Sequence, residues 1–238
     1  MIDNMELKTG LERKNHHKIF LFDLLIYISI MFLVREIYIP KVGFITNGLF
    51  WSLTTLVVAS WRMKVRSVSW KDLGLKRPDN IGKTVGVSVL ILISVTVSII
   101  LFEIIKDHLP FLITLDSSSE SAVSKFGNLK GNWLHFFLII PFVLLESMLE
   151  ELLDRGFLIN WFERLFSKTS FATVIAVLLQ ATIFGFRHSY DLSARSISVG
   201  IIGLIMGIAY VKFGRNLWPL IIAHCILNSM SMMERVLD

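Results

Sequence analysis

Long apolar runs recur along the whole chain, and each is close to the ~20 residues that a helix needs to cross a bilayer. Apolar residues make up 54% of the 238 residues, whereas charged residues make up only 18%. The mean hydropathy of +0.65 is too high for a water-soluble domain. These values exclude a soluble domain, a disordered chain and a nucleic-acid-binding module. The sequence therefore predicts an all-α, polytopic transmembrane bundle.

Seven segments are predicted to span the membrane, because each is apolar and has polar residues at its ends. They are residues 19–34, 42–61, 82–105, 132–166, 171–186, 196–213 and 217–233. The fourth is predicted to be interrupted at Pro141, and it carries a run of charges after that point. Small residues recur along the sixth at a spacing that favours close helix packing.

The distribution of Lys and Arg predicts the orientation of these spans. Segments 1–18, 62–83, 155–168 and 212–215 share one side and hold roughly twice as many of these residues as the opposite side. This bias favours a cytoplasmic N-terminus in the cell membrane. Residues 1–131 are interpreted as an N-terminal region of about three helices with a basic cytoplasmic loop. Residues 132–238 are interpreted as the core of one integrated membrane domain.

The charges of the fourth span are the strongest indication of function. Five ionisable groups lie between Glu146 and Arg155, and left unpaired in lipid they would cost on the order of 10 kcal/mol. Glu151 and Arg155 have the i, i+4 spacing of an ion pair. Glu150 is rotated by about 100° from Glu151 and is expected to face a wet cavity, with Glu146 one turn before it. A cytoplasmic helix end with solvated charges is the alternative.

Two later spans carry polar pairs at the same helical spacing. Phe184 and His188 share a face near the end of the fifth span, and His224 and Asn228 share a face in the seventh. A single histidine in an apolar helix is commonly a hydrogen-bonded contact between helices. That interpretation stays open for either pair taken alone.

Taken together, the three patterns resemble those of one protein family. The patterns are Glu150-Glu151-x-x-x-Arg155, Phe184-x-x-x-His188 and His224-x-x-x-Asn228, in that order. They are similar to the motifs of the CPBP (CAAX protease and bacteriocin-processing, or Abi) family of intramembrane endopeptidases, which includes the type II CAAX prenyl endopeptidases. The resemblance covers about residues 133–232, and residues 70–75 are similar to a segment that often precedes this core.

Two residues depart from the family pattern. Asp154 stands where an apolar or aromatic residue is usual, and Arg187 directly precedes the histidine of the second motif. Asp154 is expected to compete with Glu151 for Arg155. Arg187 is expected to disfavour protonation of His188.

The resemblance implies peptide hydrolysis and a role for each motif residue. It implies that Glu150 and His188 activate a water, and that His224 and Asn228 donate to the oxyanion. Glu151, Arg155 and Phe184 would support the site structurally. The implied substrate is a peptide precursor or a lipidated protein terminus, reached from the lipid bilayer.

A metal-dependent mechanism is a second interpretation of the same atoms. Glu150, His188 and His224 are a possible Zn²⁺ ligand set with an open position for water. The His-Glu-x-x-His spacing is absent from the sequence, and asparagine is a poor Zn²⁺ ligand. Catalysis without a metal cofactor is therefore favoured, with Zn²⁺ as the alternative.

Functions other than hydrolysis are also compatible with the resemblance. A non-catalytic membrane interaction protein, or a bacteriocin self-immunity protein, would use the same cavity to bind a partner. A transporter would relay protons through these groups, but the sequence lacks the internal repeats that transporters commonly show. A scaffold would tolerate the isosteric change Glu150→Gln, whereas a hydrolase would not.

Overall fold

The computed structural model describes residues 2–108 and 126–237, with side chains described from residue 17 onward. Within these residues the chain is a bundle of helices without strands. The predicted all-α, polytopic fold class is confirmed. Most of the stretch between the third and fourth predicted spans, residues 106–131, lies outside the described residues.

The helices follow one another in a simple order, with short turns between most of them. They are α1 (Ile2–Leu33), α2 (Gly43–Val65), α3 (Ile81–Lys106), α4 (Trp133–Glu150), a π-helical segment (Glu151–Ile159), α5 (Asn160–Leu165), α6 (Ala172–Ser189), α7 (Ala194–Lys212) and α8 (Trp218–Leu237). Two short 3₁₀ turns, Val34–Glu36 and Pro40–Val42, join α1 to α2.

Six of these helical stretches are long and apolar enough to cross a membrane. They are His17–Glu36, Pro40–Val65, Ile81–Lys106, Ala172–Ser189, Ala194–Lys212 and Trp218–Leu237. The remaining predicted span, residues 132–166, is the continuous rod formed by α4, the π-helical segment and α5. It packs against α2, α6 and α8 inside the bundle.

The backbone of this rod departs from regular helix at a different place from the predicted one. Pro141 lies inside α4, which continues through it, so the predicted interruption at Pro141 is wrong. The change occurs instead at Glu151–Ile159, where the winding becomes π-helical and every residue is buried. π-helical turns are rare and are frequent at functional sites. This segment directly follows Glu150, the residue that the first motif singled out.

Close packing of α6 on α7 depends on small residues of α7, as their spacing predicted, and on Gly185 of α6, which the spacing did not single out. A Cβ at Gly185 would lie 2.4 Å from the carbonyl oxygen of Ser196 and 2.9 Å from the Cα of Gly200. A Cβ at Gly203 would lie 3.0 Å from the ring of Phe184. The absence of side chains at these positions lets the two backbones approach closely, which fixes the position of α6 and of the motif it carries.

A buried ionic cluster joins the N-terminal helices to the core. Asp23 of α1 is fully buried and accepts hydrogen bonds from Arg62 of α2 and from Arg66, which directly follows α2. It also accepts one from the indole of Trp161 in α5, at 3.2 Å. Because a buried carboxylate is stable only when it is paired, Asp23 holds these three helices together.

The segment at residues 70–75, between α2 and α3, is packed against the connection between α7 and α8. The hydroxyl of Tyr210 donates to the carbonyl of Leu73 at 2.8 Å, and the amide of Leu217 donates to that of Gly74 at 3.1 Å. Gly74 has φ +102°, and a Cβ there would lie 1.9 Å from the carbonyl oxygen of Arg215. Only glycine fits this position.

Candidate active site

A cavity of about 510 Å³ opens between α2, α4, α6 and α8, and the 3₁₀ turn Val34–Glu36 and the start of α7 also line it. Its inner wall is polar and contains residues of all three motifs. The motif residues in this wall are Glu150, His188, His224 and Asn228, and Glu146 and Ser147 lie beside them. Glu146 and Glu150 are one turn apart on α4 and both line the cavity, as their spacing predicted.

Glu150 lies between the two histidines of the second and third motifs. Its Oε1 is 3.7 Å from Nε2 of His188, and its Oε2 is 3.6 Å from Nε2 of His224. The three side chains come from three different helices, the end of α4, the end of α6 and the first half of α8. The structure therefore brings together the residues that the sequence analysis assigned to one site.

Both imidazoles are oriented by hydrogen bonds from their other ring nitrogen. His188 Nδ1 donates to the carbonyl oxygen of Phe184 at 2.6 Å, and the two rings are 4.6 Å apart. His224 Nδ1 donates to the carboxylate of Glu151 at 2.7 Å. Since a carbonyl oxygen and a carboxylate only accept, these contacts place a proton on Nδ1 of each ring. Each Nε2 is directed toward Glu150.

Glu151 and Arg155 form the ion pair that their spacing predicted. Arg155 Nη1 lies 3.1 Å from Glu151 Oε1, and both side chains are fully buried. The guanidinium carbon of Arg155 also lies 4.2 Å from the ring centroid of Phe184. A solvated helix end is therefore excluded for this segment, and the pair supports His224 through Glu151.

The two residues that depart from the family pattern contact each other. Arg187 Nη2 donates to Asp154 Oδ2 at 2.7 Å and to Glu150 Oε1 at 3.2 Å. The expectation that Asp154 competes with Glu151 for Arg155 is wrong, because Asp154 pairs with Arg187. Two opposite charges at positions where they are unusual for the resembling family were the available sequence signal. Their contact requires α6 to lie against the rod, which no local pattern shows.

Asn228 lies one turn after His224 and faces the same cavity. Its Nδ2 donates to Ser147 Oγ at 2.8 Å, and that hydroxyl donates to the carbonyl oxygen of Val143 at 2.8 Å. A carboxamide nitrogen has two hydrogens, so one remains for a group inside the cavity. Ser147 thus fixes the orientation of the amide, a positioning contact that the sequence analysis did not identify.

The mouth of the cavity is aromatic and rich in arginine. Arg35, which follows α1, donates to the carbonyl oxygen of Arg187, and its guanidinium carbon lies 5.3 Å from the ring of Trp51 and 5.4 Å from that of Tyr190. Arg195 and Arg235 line the same mouth. These residues come from separate elements and form no local motif, so sequence analysis missed them.

A turn at the mouth joins α6 to α7. Hydrogen bonds from the hydroxyl and amide of Ser193 hold the pKa of the exposed carboxyl of Asp191 below its usual range. Tyr190, at the end of α6, has a left-handed backbone with φ +59°. This turn ends α6 at Ser189, directly after His188.

The side chains around Glu150 meet one requirement of a metal centre but not the others. Each histidine donates from Nδ1 to a fixed acceptor, as histidine ligands of metals usually do. Among residues 2–108 and 126–237, no group of three His, Cys, Asp or Glu side chains is arranged to hold a metal ion. Glu150 also accepts from a guanidinium, whose positive charge opposes a cation at the same oxygen.

Comparison with known proteins identifies one related family. Residues 132–230 match the family model described as type II CAAX prenyl endopeptidase Rce1-like. The matched region contains every residue of the three motifs. No curated protein and no solved structure matches the chain.

Proposed function

The core of this integral membrane protein, residues 132–230, belongs to the family of Rce1-like type II CAAX prenyl endopeptidases, and on that basis we propose that it is an intramembrane endopeptidase. Glu150 and His188 would activate a water that hydrolyses a peptide bond. The position of Glu150 between two imidazole nitrogens, at 3.7 and 3.6 Å, carries this proposal.

The first step is attack of water on the peptide carbonyl carbon. A water between Glu150 and His188 donates one hydrogen to Oε1 of the carboxylate and the other to the lone pair of Nε2. As the new C–O bond forms, Glu150 takes a proton from the water and the carbonyl becomes a tetrahedral oxyanion. General base catalysis requires groups within hydrogen-bond reach of the proton they remove, and this pair of acceptors meets that requirement.

The second step is collapse of the tetrahedral intermediate. Asn228 Nδ2 donates to the oxyanion, and so does Nε2 of His224, which carries a proton on both ring nitrogens and keeps both through the step. The two residues lie on one face of α8. The C–N bond then breaks, and the proton held by Glu150 passes to the leaving amine. The products are a carboxylic acid and an amine, so one water is consumed for each bond cleaved.

The substrate is proposed to be a peptide precursor or a lipidated protein terminus that enters from the bilayer. An aromatic mouth and a cavity of about 510 Å³ have room for a short extended peptide rather than a folded domain. With the N-terminus in the cytoplasm, as the Lys and Arg distribution favours, the mouth faces the outer side of the cell membrane.

Catalysis is proposed to proceed without a metal cofactor. Arg187 already donates to Glu150 Oε1, so a cation at that oxygen would lie beside a buried guanidinium. Zn²⁺ held by Glu150, His188 and His224 is the alternative, and it predicts that cleavage depends on the metal.

Cleavage by the purified protein tests the proposed function. Detergent-solubilised protein is incubated with a quenched peptide library that includes leader-type and lipidated C-terminal sequences. Wild type is expected to cleave, and His188→Asn is expected to lose about 10²–10³-fold in rate. The matched control is His108→Asn, because His108 is exposed and lies outside the cavity.

Two outcomes of this experiment would contradict the proposal. Retained cleavage by folded His188→Asn would remove His188 from the mechanism. No cleavage by wild type, with an unchanged cellular phenotype for His188→Asn, would favour the membrane interaction or self-immunity function. A strong chelator is added in parallel, and an activity that the chelator abolishes and Zn²⁺ restores would establish the metal mechanism.

Asn228→Ala is expected to lower kcat by about 10²–10³-fold, the effect of removing one oxyanion donor. The fold is expected to remain, since Ser147 Oγ keeps its bond to the carbonyl of Val143. Turnover and thermal unfolding are measured on the same preparation. Substantial activity in purified Asn228→Ala protein would assign the oxyanion to another donor.

A further inference from the structure

The ion pair between Arg187 and Asp154 is unusual because it is buried directly beside Glu150. Both side chains are buried, with exposed fractions of 6% and 0%. Arg187 comes from α6 and Asp154 from the π-helical segment, so the pair joins two elements that each carry a motif. The guanidinium contacts Glu150 and Asp154 through the same nitrogen, Nη2.

We propose that Arg187 is a positioning residue for Glu150 and that Asp154 keeps Arg187 in place. Arg187 and His188 are consecutive on α6, and both reach Glu150 Oε1, at 3.2 and 3.7 Å. The guanidinium holds this oxygen beside the histidine, while Oε2 remains directed toward His224. This inference rests on the proposed endopeptidase function.

The position of Arg187 is set from three sides. Its carbonyl oxygen accepts from Arg35, its Nη1 lies 3.8 Å from Met31 Sδ, and its guanidinium carbon lies 5.3 Å from the ring of Phe184. A guanidinium restrained in this way can orient a carboxylate with little loss of conformational freedom. The restraint acts on Glu150, whose own side chain has three rotatable bonds.

Asp154 controls how strongly Arg187 acts on Glu150. The distance from Nη2 to Asp154 is 2.7 Å, shorter than the 3.2 Å to Glu150. The closer partner takes the stronger bond, so Arg187 does not draw Glu150 away from the histidines. Without Asp154, Glu150 would be the one carboxylate left in contact with Nη2 among the described residues.

A purely structural ion pair would behave differently. Replacing both members of a buried ion pair by apolar residues of similar volume is often neutral for stability. If the pair only supported the fold, a neutral replacement would leave catalysis unchanged. The contact with Glu150 predicts that catalysis falls although the fold remains.

The test compares wild type with the double variant Asp154→Leu/Arg187→Met in the peptide cleavage assay. We expect kcat to fall by about 10- to 100-fold, as it does when groups that orient catalytic residues are removed, and KM to stay unchanged. The matched control is Glu163→Leu/Arg215→Met, which removes a 2.7 Å ion pair outside the cavity. An unchanged kcat in the first double variant would overturn the proposal.

Arg187→Lys keeps the proposal testable if that double variant does not fold. A single ammonium can contact both carboxylates, as Nη2 does now, so this variant is expected to retain more kcat than Arg187→Met. Equal losses in folded Arg187→Lys and Arg187→Met proteins would contradict positioning through this contact.

A thermal unfolding cycle separates this proposal from the endopeptidase function itself. Arg187→Met and Glu150→Gln are measured singly and together. Residues in contact give non-additive changes in Tm, whereas independent residues give additive ones. Additive changes would overturn the proposal even in a protein that cleaves. If wild type cleaves no peptide, the proposed function fails, and non-additive changes would still show that Arg187 holds Glu150.

Discussion

Glu150→Gln is expected to lower kcat by about 10⁴-fold, the upper end of the range for a general base. The carboxamide has nearly the same shape as the carboxylate but cannot accept a proton from water. Turnover is measured with the best peptide found in the cleavage library.

The control for this prediction is Glu103→Gln on α3. Glu103 is exposed and pairs with Lys106 at 2.7 Å, and exposed ion pairs contribute little to stability. We expect wild-type turnover from this variant. If Glu150→Gln folds and still cleaves at a rate near that of wild type, another group activates the water and the proposed mechanism is wrong.

Arg155→Met is expected to destabilise the protein by about 3–5 kcal/mol, the usual effect of removing one partner from a buried ion pair. Arg155 and Glu151 are fully buried, so the variant leaves the Glu151 carboxylate without its guanidinium. Because Glu151 also orients His224 at 2.7 Å, activity is expected to fall with stability. Unfolding is followed in detergent at several denaturant concentrations.

Arg77→Met is the comparison for this loss of stability. Arg77 is exposed in the connection between α2 and α3, where substitutions usually change stability by no more than about 0.5 kcal/mol. A loss below about 1 kcal/mol in Arg155→Met would mean that Glu151 finds another partner. The support of His224 would then come from Glu151 alone.

The fold class and the faces of the motif helices could be predicted from the sequence because their causes are local. Hydropathy along a segment decides whether it can enter lipid, and 3.6-residue periodicity decides which side chains share a face. The pair Glu151–Arg155 and the pair Phe184–His188 each lie within one helical stretch. Their contacts therefore follow from spacing alone.

Contacts between helices could not be predicted, because they depend on the rotation and axial offset of whole helices. Counting along α6 places His188 about 12 Å from mid-membrane, which by itself separates it from Glu150 and His224. The structure nevertheless places His188 Nε2 3.7 Å from Glu150 Oε1. The close contact of α6 with α7 at their glycines, and the turn that ends α6 after His188, set the position of His188 along the bundle.

The sequence shows that Asp154 and Arg187 depart from the family pattern, but it does not show that they contact each other. From the sequence, each charge could be related only to neighbours on its own helix. Asp154 was therefore related to Arg155, and Arg187 to His188. Tertiary packing brings them within 2.7 Å, where the two buried charges neutralise each other. By itself the sequence determined a membrane bundle, three motifs and their faces. Only the tertiary structure decided the partners of each buried charge, because buried ionic groups pair by distance in space rather than by spacing along the chain.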